Sequence, residues 1–273
     1  MTSRGGTVRE RARVIVRIFF IGGLFSYRAL FNWITPTMYV TTMLGSPLFQ
    51  ILFFAYLGRF AGLQDDTFFV VGNAVQVSAM AGIYGMTMTI ANERQFGTLQ
   101  PLLATPANRI ALFLGRALPV IVNGLIVSAF GFAVGLLLLD FTLSPSAVPP
   151  LLVVVVATVA SCTALGMLLG SIGLRARDVF FASNLVYFLM LLVCGVNIPV
   201  ETLPDWLEAI GRAVPLTHGI EAAREIVAGA SLGEVSGLVW TELGIGAAYA
   251  ATAFLLFRLF EIEGRRRASL ETF

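Results

Sequence analysis

The side chains that could carry chemistry are few and are spread along the chain. The 273 residues include no lysine, and all 18 basic residues are arginines. Nucleotide hydrolysis by the usual phosphate-cradling loop requires a Lys that reaches the phosphates. The sequence therefore excludes a nucleotide-hydrolysing site of that type.

The other reactive residue types do not form a recognisable site. Cys162 and Cys194 lie within long apolar runs, which favours burial as small apolar side chains over a disulfide or a metal site. His218 is the only histidine, and a lone His of this kind is predicted to make a satisfied polar contact. We predict no catalytic, cofactor-binding or metal-binding residue in this chain.

Glu242 is the one acidic residue well inside an apolar run. Transporters driven by ion gradients place ionisable relay groups within their membrane helices. A single acid gives no such relay, so we expect Glu242 to pair with an arginine such as Arg224.

The composition predicts that lipid is the main solvent of this chain. It is 57% hydrophobic and 12% charged, with a mean hydropathy of +0.85, which one water-soluble domain could not cover. An α-helix needs about 20 apolar residues to cross the hydrocarbon. Six runs meet that length: Thr37–Leu57, Phe68–Ala91, Ile110–Leu139, Val148–Leu174, Val179–Ile198 and Leu238–Phe257. The predicted fold is an all-α integral membrane protein with six transmembrane helices.

The arginines predict the orientation of these spans. If both termini face the cytoplasm, all arginines except Arg59, Arg212 and Arg224 lie on the inner side, which is the positive-inside pattern. The transmembrane domain then covers about residues 37–260, and residues 261–273 form a cytoplasmic tail. The basic ends match anionic lipid headgroups rather than nucleic acid.

Residues 1–36 are predicted to form a cytoplasmic N-terminus with an interfacial helix. Its apolar run, Ile18–Tyr27, is ten residues long and is flanked by Arg17 and Arg28. That is too short to cross the membrane, so an amphipathic helix lying along the inner surface is expected. No small-residue cleavage site follows the run, which argues against a signal peptide.

A polar interruption, Asn92–Pro106, separates the second and third apolar runs. Thr98 can cap a short helix, and Pro101 sits early enough in it that its missing N–H costs little. The pattern predicts a short helix at the membrane surface, at about residues 93–105. An ordinary cytoplasmic loop is the alternative.

Two motifs resemble one known family. The run Glu93-Arg94-x-x-Gly97-Thr98-Leu99-x-x-Leu102-Leu103-x-Thr105-Pro106 resembles the segment between spans two and three in permease subunits of type-2 ABC exporters. Ile198-Pro199, Leu203-Pro204-Asp205-Trp206-Leu207, Pro215-Leu216-Thr217 and Glu221-x-x-Arg224 resemble the family's segment between the last two spans. Pro101 departs from the family pattern, which has a polar or charged residue there.

The resemblance implies a function. The chain would be the membrane half of an ATP-driven exporter, working with a second permease in a homodimer or related heterodimer and with two ABC ATPase subunits that bind ATP and magnesium. It would reside in the plasma membrane and move an amphipathic drug, antibiotic or lipid-like compound outward. Export of a lipid-linked polysaccharide and a membrane-embedded lipid-modifying enzyme are the alternatives.

The resemblance also implies roles for two segments. The surface helix would couple the spans to the ATPase through Glu93, Arg94, Gln95, Phe96, Gly97, Thr98, Leu99, Gln100, Leu102 and Leu103. Residues 199–237, whose interleaved apolar and charged residues suit two short helices at the outer interface, would form a re-entrant lid over the exit. Candidate pathway or lid residues are Phe49, Phe53, Tyr187, Phe188, Trp206, Glu221 and Arg224. The aromatic residues among them could instead face lipid or pack within the protein.

Overall fold

All regular secondary structure in the described part of the chain is helical. The computed structural model describes residue 37 and residues 40–62, 65–95, 109–173 and 179–267, with residues 92–95, 109–113 and 260–267 given as backbone alone. Its α-helices are α1 (Gly45–Ala61), α2 (Asp66–Gln95), α3 (Arg109–Leu138), α4 (Val148–Gly173), α5 (Val179–Val193), α6 (Asp205–Ala213), α7 (Thr217–Val227) and α8 (Ser236–Arg267). A π-helical turn, Val40–Leu44, precedes α1, and 3-10 turns lie at Pro145–Ala147 and Val200–Thr202.

Five helical segments within these ranges are long and apolar enough to cross a membrane. They are Val40–Ala61, Asp66–Ala91, Leu114–Leu138, Pro145–Gly173 and Ser236–Leu259. Helix α5 is apolar but has only 15 residues. The described residues therefore agree with a multi-span helical bundle, with α5 as a shorter sixth apolar helix.

Helix α5 ends earlier than its hydropathy predicts. The expected end was Ile198, but the helix stops at Val193 and the backbone bends through residues 194–198. Gly195 has a φ of +73°, in the left-handed region that glycine adopts without a steric cost. The predicted boundary was wrong because hydropathy does not register this turn.

Helix α2 is the centre of the bundle and packs most extensively against α3 and α4. Glycines permit this close approach, as expected for membrane helices. A Cβ at Gly166 of α4 would lie 2.6 Å from the carbonyl oxygen of Ile83, and one at Gly85 would lie 3.0 Å from a methyl of Val120. The absence of a side chain at Gly85 and Gly166 therefore lets α3 and α4 pack directly on α2.

Helix α2 also runs further toward its C-terminal end than predicted. The expected surface helix began at residue 93, but α2 continues through Gln95. Glu, Arg and Gln are good helix formers, so nothing in their chemistry ends the helix there. The rest of the predicted surface helix, residues 96–105, lies outside the described residues, as do residues 1–36.

An ion-pair cluster joins three elements at the other end of α2. The guanidinium of Arg59, near the end of α1, donates two hydrogen bonds to the carboxylate of Asp66, one of them at 2.7 Å. It also contacts Asp140, after α3, at 2.6 Å, and the backbone N–H of Asp140 donates to Asp66 at 3.0 Å. Gly62, directly after α1, has a φ of +63° and turns the chain toward α2. These contacts fix the spacing of α1, α2 and α3.

Two short helices, α6 and α7, follow the bend after α5. They lie in the segment where two such helices were expected, and we refer to residues 199–237 as the hairpin segment. Helix α6 has Asp205 and Glu208 in its first turn and Arg212 in its last, an arrangement that the helix dipole favours. Helix α7 packs on α2, α4 and α8 and is therefore an integrated part of the bundle.

The tight contact between α2 and α4 predicts a stability difference between two glycine substitutions. In Gly166→Ala the added methyl meets backbone atoms of Ile83 at 2.6 and 3.0 Å, so we expect overpacking to lower the free energy of unfolding by about 1–3 kcal/mol. Gly244→Ala is the matched control, because an added Cβ there would meet no atom within 4 Å apart from its chain neighbours and the backbone of its own helix. Thermal unfolding of the purified variants in detergent measures the difference, and equal midpoints would contradict this packing.

Candidate functional site

A network of uncharged polar side chains connects α1, α2, α5 and the bend after α5. The Nε2 of Gln50 donates to Asn73 Oδ1 and Gln76 Oε1, both at 2.9 Å. The hydroxyl of Tyr187 donates to Gln50 Oε1 at 2.8 Å, and Asn73 Nδ2 donates to Asn197 Oδ1 at 2.8 Å. We call Gln50, Asn73, Gln76, Tyr187 and Asn197 the amide network.

The amide network lies between the buried interior and an exposed face of the bundle. Asn73 and Gln76 are fully buried, whereas Gln50 and Asn197 are half-buried. The sequence prediction missed the four amide residues because it considered only charged groups within the apolar runs. Polar amides in apolar runs were the available signal, since buried polar groups need partners in the protein.

Aromatic rings surround the network. The ring of Tyr187 lies 6.3 Å from that of Tyr84, which lies 5.7 Å from the ring of Phe180. Tyr187 also contacts its neighbour Phe188, with the ring centroids 5.6 Å apart. These edge-to-face contacts form an aromatic wall between α2 and α5.

The four aromatic residues predicted for the pathway divide into two groups. Tyr187 is buried and belongs to the amide network, whereas Phe49, Phe53 and Phe188 are exposed. Phe49 and Phe53 line a shallow groove along α1 whose other lining residues are Leu52, Tyr56, Leu57 and Phe60. The structure thus connects Tyr187 to α1 through Gln50 and leaves the three phenylalanines on the surface of the chain.

Arg224 of α7 fastens the hairpin segment to α2 and to the bend after α5. Its guanidinium donates to the carbonyl oxygens of Phe68 at 3.1 Å and Val196 at 3.0 Å, and it stacks 3.6 Å from the centroid of the Phe68 ring. A Cβ at Gly72 would lie 2.8 Å from this guanidinium, so a side chain there would obstruct the contact. Burial lowers the pKa of Arg224 to about 10, which leaves it charged at neutral pH.

The expected pairing of Arg224 with Glu242 was wrong. The carboxylate of Glu242 is fully buried and accepts hydrogen bonds from the backbone N–H of Leu216 at 2.8 Å and of Gly219 at 3.3 Å. Unsatisfied N–H groups at a helix N-terminus attract a carboxylate. Backbone N–H donors cannot be identified from side-chain types. The sequence therefore predicted a basic side chain as the partner of Glu242.

The other predicted hairpin residues lie near its surface. Trp206 is exposed on α6. Glu221 lies 3.5 Å from Arg212, and burial raises the pKa of the Glu221 carboxyl. Arg212 also bonds Glu208 at 2.8 Å, which raises the pKa of Arg212. Ion pairs that remain partly open to solvent add little stability, about 0–1 kcal/mol each.

The reactive residue types remain separate within the described ranges. Cys162 and Cys194 are buried free cysteines, as predicted. His218 was expected to be satisfied, but its Nδ1 has no hydrogen-bond partner among the described residues, and burial lowers its pKa. No group of three or more His, Cys, Asp or Glu residues in the described part could hold a metal ion.

The residues predicted to couple the chain to an ATPase fall at and beyond the end of α2. Glu93, Arg94 and Gln95 form the last residues of that helix. Phe96, Gly97, Thr98, Leu99, Gln100, Leu102 and Leu103 lie outside the described residues. Their role stays a prediction.

The two carbonyl contacts of Arg224 predict that its shape matters as well as its charge. Arg224→Met leaves the oxygens of Phe68 and Val196 without this donor, so we expect the free energy of unfolding to fall by about 1–3 kcal/mol. Arg224→Lys should recover only part of that loss. Both bonds come from one nitrogen, Nη2, which an ammonium could replace, but a lysine lacks the planar guanidinium that stacks on the Phe68 ring.

The matched control is Arg258→Met, at an exposed position on α8, which should shift stability by less than about 0.5 kcal/mol. Chemical denaturation in detergent micelles compares the variants. Equal effects of Arg224→Met and Arg258→Met would show that the Arg224 contacts contribute nothing.

Comparison with known proteins identifies the family. Residues 21–228 match the model of the ABC-2 type transporter family. The probable multidrug ABC transporter permease YbhR of Escherichia coli K12 is 26% identical over 196 residues, 71% of this chain and 53% of that protein. The daunorubicin resistance ABC transporter permease protein DrrB1 of Streptomyces coeruleorubidus is 26% identical over 219 residues, 78% of this chain and 77% of that protein. The matched region thus spans about half the length of the Escherichia coli relative. The chain is a multi-pass membrane protein that belongs to the ABC-2 type transporter family.

Proposed function

We propose that this chain is the membrane permease subunit of an ATP-driven exporter of amphipathic compounds. The observation that carries the proposal is the family match over residues 21–228. The names of two relatives, a probable multidrug permease and a daunorubicin resistance permease, favour drug-like cargo. The exposed aromatic side chains of α1 and α5 are compatible with a flat apolar compound.

The energy for export would come from other subunits. The chain has no lysine for a phosphate-binding loop. Two ABC ATPase subunits would supply ATP and magnesium binding, and this chain would hold no cofactor. A ligand drives a conformational change only if it binds two states with different free energies, so the contact with the ATPase must change with nucleotide.

Helix α2 is suited to carry that change across the membrane. Its 30 residues correspond to a length of about 45 Å at 1.5 Å per residue. One end leads into the proposed coupling segment, residues 93–105. The other end contacts Arg224 through the carbonyl of Phe68. A displacement at Gln95 would therefore reach both the amide network and the hairpin segment.

The remaining parts of the proposal concern the assembled transporter. A second permease would cover the exposed face of α1 and α5, which includes Phe49 and Phe188. The hairpin segment would act as an outer lid, with both termini in the cytoplasm and the complex in the plasma membrane. The arginine distribution supports this orientation.

Transport into inside-out vesicles tests the proposal. With the ATPase that copurifies with the tagged chain, we expect ATP-dependent uptake of daunorubicin. Leu99→Glu should abolish uptake while membrane insertion stays normal, because a charge in an apolar docking contact uncouples the motor. Glu208→Ala, at a half-buried position on α6 that bonds Arg212, is the matched control and should leave the association with the ATPase intact.

Two results would contradict the proposal. Uptake that does not depend on ATP would exclude an ATP-driven exporter. Full uptake by Leu99→Glu would remove the coupling role of this segment and leave it as an ordinary loop.

A further inference from the structure

The direction of every hydrogen bond in the amide network is fixed by one backbone group. The carbonyl oxygen of Phe69 can only accept, and the Asn73 side chain bonds it at 2.9 Å. The atom of Asn73 that faces Phe69 must therefore be Nδ2, and Oδ1 must face Gln50. The amide assignments along the network follow from this one contact.

The remaining bonds can be traced outward from Asn73. Because Oδ1 of Asn73 accepts, Gln50 must present Nε2 to it, and the same Nε2 then donates to Oε1 of Gln76. The second hydrogen on Asn73 Nδ2 donates to Oδ1 of Asn197. The oxygen of Gln50 accepts from Tyr187. Gln50 and Asn73 thus use both of their N–H hydrogens.

The atoms without a partner at the two ends of this chain of bonds are both N–H donors. Gln76 Nε2 and Asn197 Nδ2 have no hydrogen-bond partner in the described part of the protein. Gln76 is fully buried, and a buried amide donor without a partner is unfavourable. A network that served packing alone would be expected to satisfy these groups.

The surroundings of the network are apolar and aromatic. Gln50 follows the exposed Phe49 on α1, Tyr187 precedes the exposed Phe188 on α5, and Tyr84 contributes a third ring. None of the five network residues carries a formal charge. Such a site recognises a ligand by its acceptor atoms and apolar surface, which is the common pattern of small-molecule sites.

We propose that the amide network is a binding site for hydrogen-bond acceptor oxygens of the exported compound. Carbonyl or hydroxyl oxygens of the ligand accept from Gln76 Nε2 and Asn197 Nδ2, and its apolar body lies against the rings of α1 and α5. The site rests on the proposed export function and gives it a substrate class: flat amphipathic compounds that carry carbonyl or hydroxyl oxygens. Site opening accompanies the movement of α2, since both donors are enclosed in this conformation.

The binding of two aromatic cations, daunorubicin and tetraphenylphosphonium, distinguishes a site with hydrogen-bond donors from a purely apolar site. Daunorubicin carries several carbonyl and hydroxyl oxygens, and tetraphenylphosphonium carries no hydrogen-bond acceptor. Equilibrium dialysis measures the binding of each radiolabelled compound to the purified full chain in lipid nanodiscs. Gln76→Met keeps the length of the side chain and removes its amide, so daunorubicin should bind at least about tenfold more weakly while tetraphenylphosphonium binding is unchanged.

A second variant and a control accompany this measurement. Asn197→Leu removes the other free donor from the half-buried bend, outside the long helices, and should have the same selective effect. Thr252→Val is the control, because its hydroxyl bonds only the Ala248 carbonyl of its own helix, on an exposed part of α8. This control should bind both compounds as the unmodified chain does.

The possible results separate the binding site from the export function. Equal weakening of both compounds, or no change in either, would overturn the acceptor site. Failure of the unmodified chain to bind daunorubicin would overturn it as well. The export function is tested separately, by ATP-dependent transport and by the Leu99→Glu variant. The export proposal can therefore be correct even if the binding measurements contradict the acceptor site.

Discussion

Polar groups inside an apolar bundle must find their partners within the protein, and this constraint determines how the described elements meet. Lipid offers neither donors nor acceptors. The buried amides of α2 therefore bond Gln50 of α1 and Asn197 of the bend after α5. The same requirement brings Arg224 to the carbonyl of Phe68 and Glu242 to the N-terminus of α7. Each of these contacts joins elements that are distant in sequence.

Buried polar contacts also couple the position of the hairpin segment to the positions of α2 and α8. The start of α7 is held to α8 by Glu242, and Arg224 near its end is held to α2. The reversal before α7 places Leu216 at a φ of +111°, a conformation that costs about 1–3 kcal/mol for a non-glycine residue. The Glu242 contact with the N–H of Leu216 stabilises that strained turn. A shift of α2 relative to α8 would therefore change the position of α7, as the proposed role of the hairpin segment as a lid requires.

The sequence predicted the parts of this structure that depend on hydrophobic length. The long apolar helices, the two short helices after α5 and the burial of Cys162 could all be read from composition and spacing. The turn at Gly195 could not, because a single glycine in an apolar run does not specify a positive φ. The partner of Glu242 was missed because its donors are backbone groups. The amide network was missed because asparagine and glutamine carry no charge to mark them within an apolar run, and their hydrogen bonds depend on tertiary contacts.

Amide hydrogen exchange at the reversal before α7 tests most directly whether buried polar contacts hold the hairpin segment to the bundle. Fragment-resolved mass spectrometry of the protein in nanodiscs would follow the N–H groups of Leu216 and Gly219, both of which donate to Glu242. The account predicts exchange far slower than at Gly237, in the first turn of α8. Protection should be lost in Glu242→Leu and largely kept in Glu242→Gln, whose side-chain oxygen still accepts. Exchange as fast as at Gly237, or protection that survives Glu242→Leu, would contradict it.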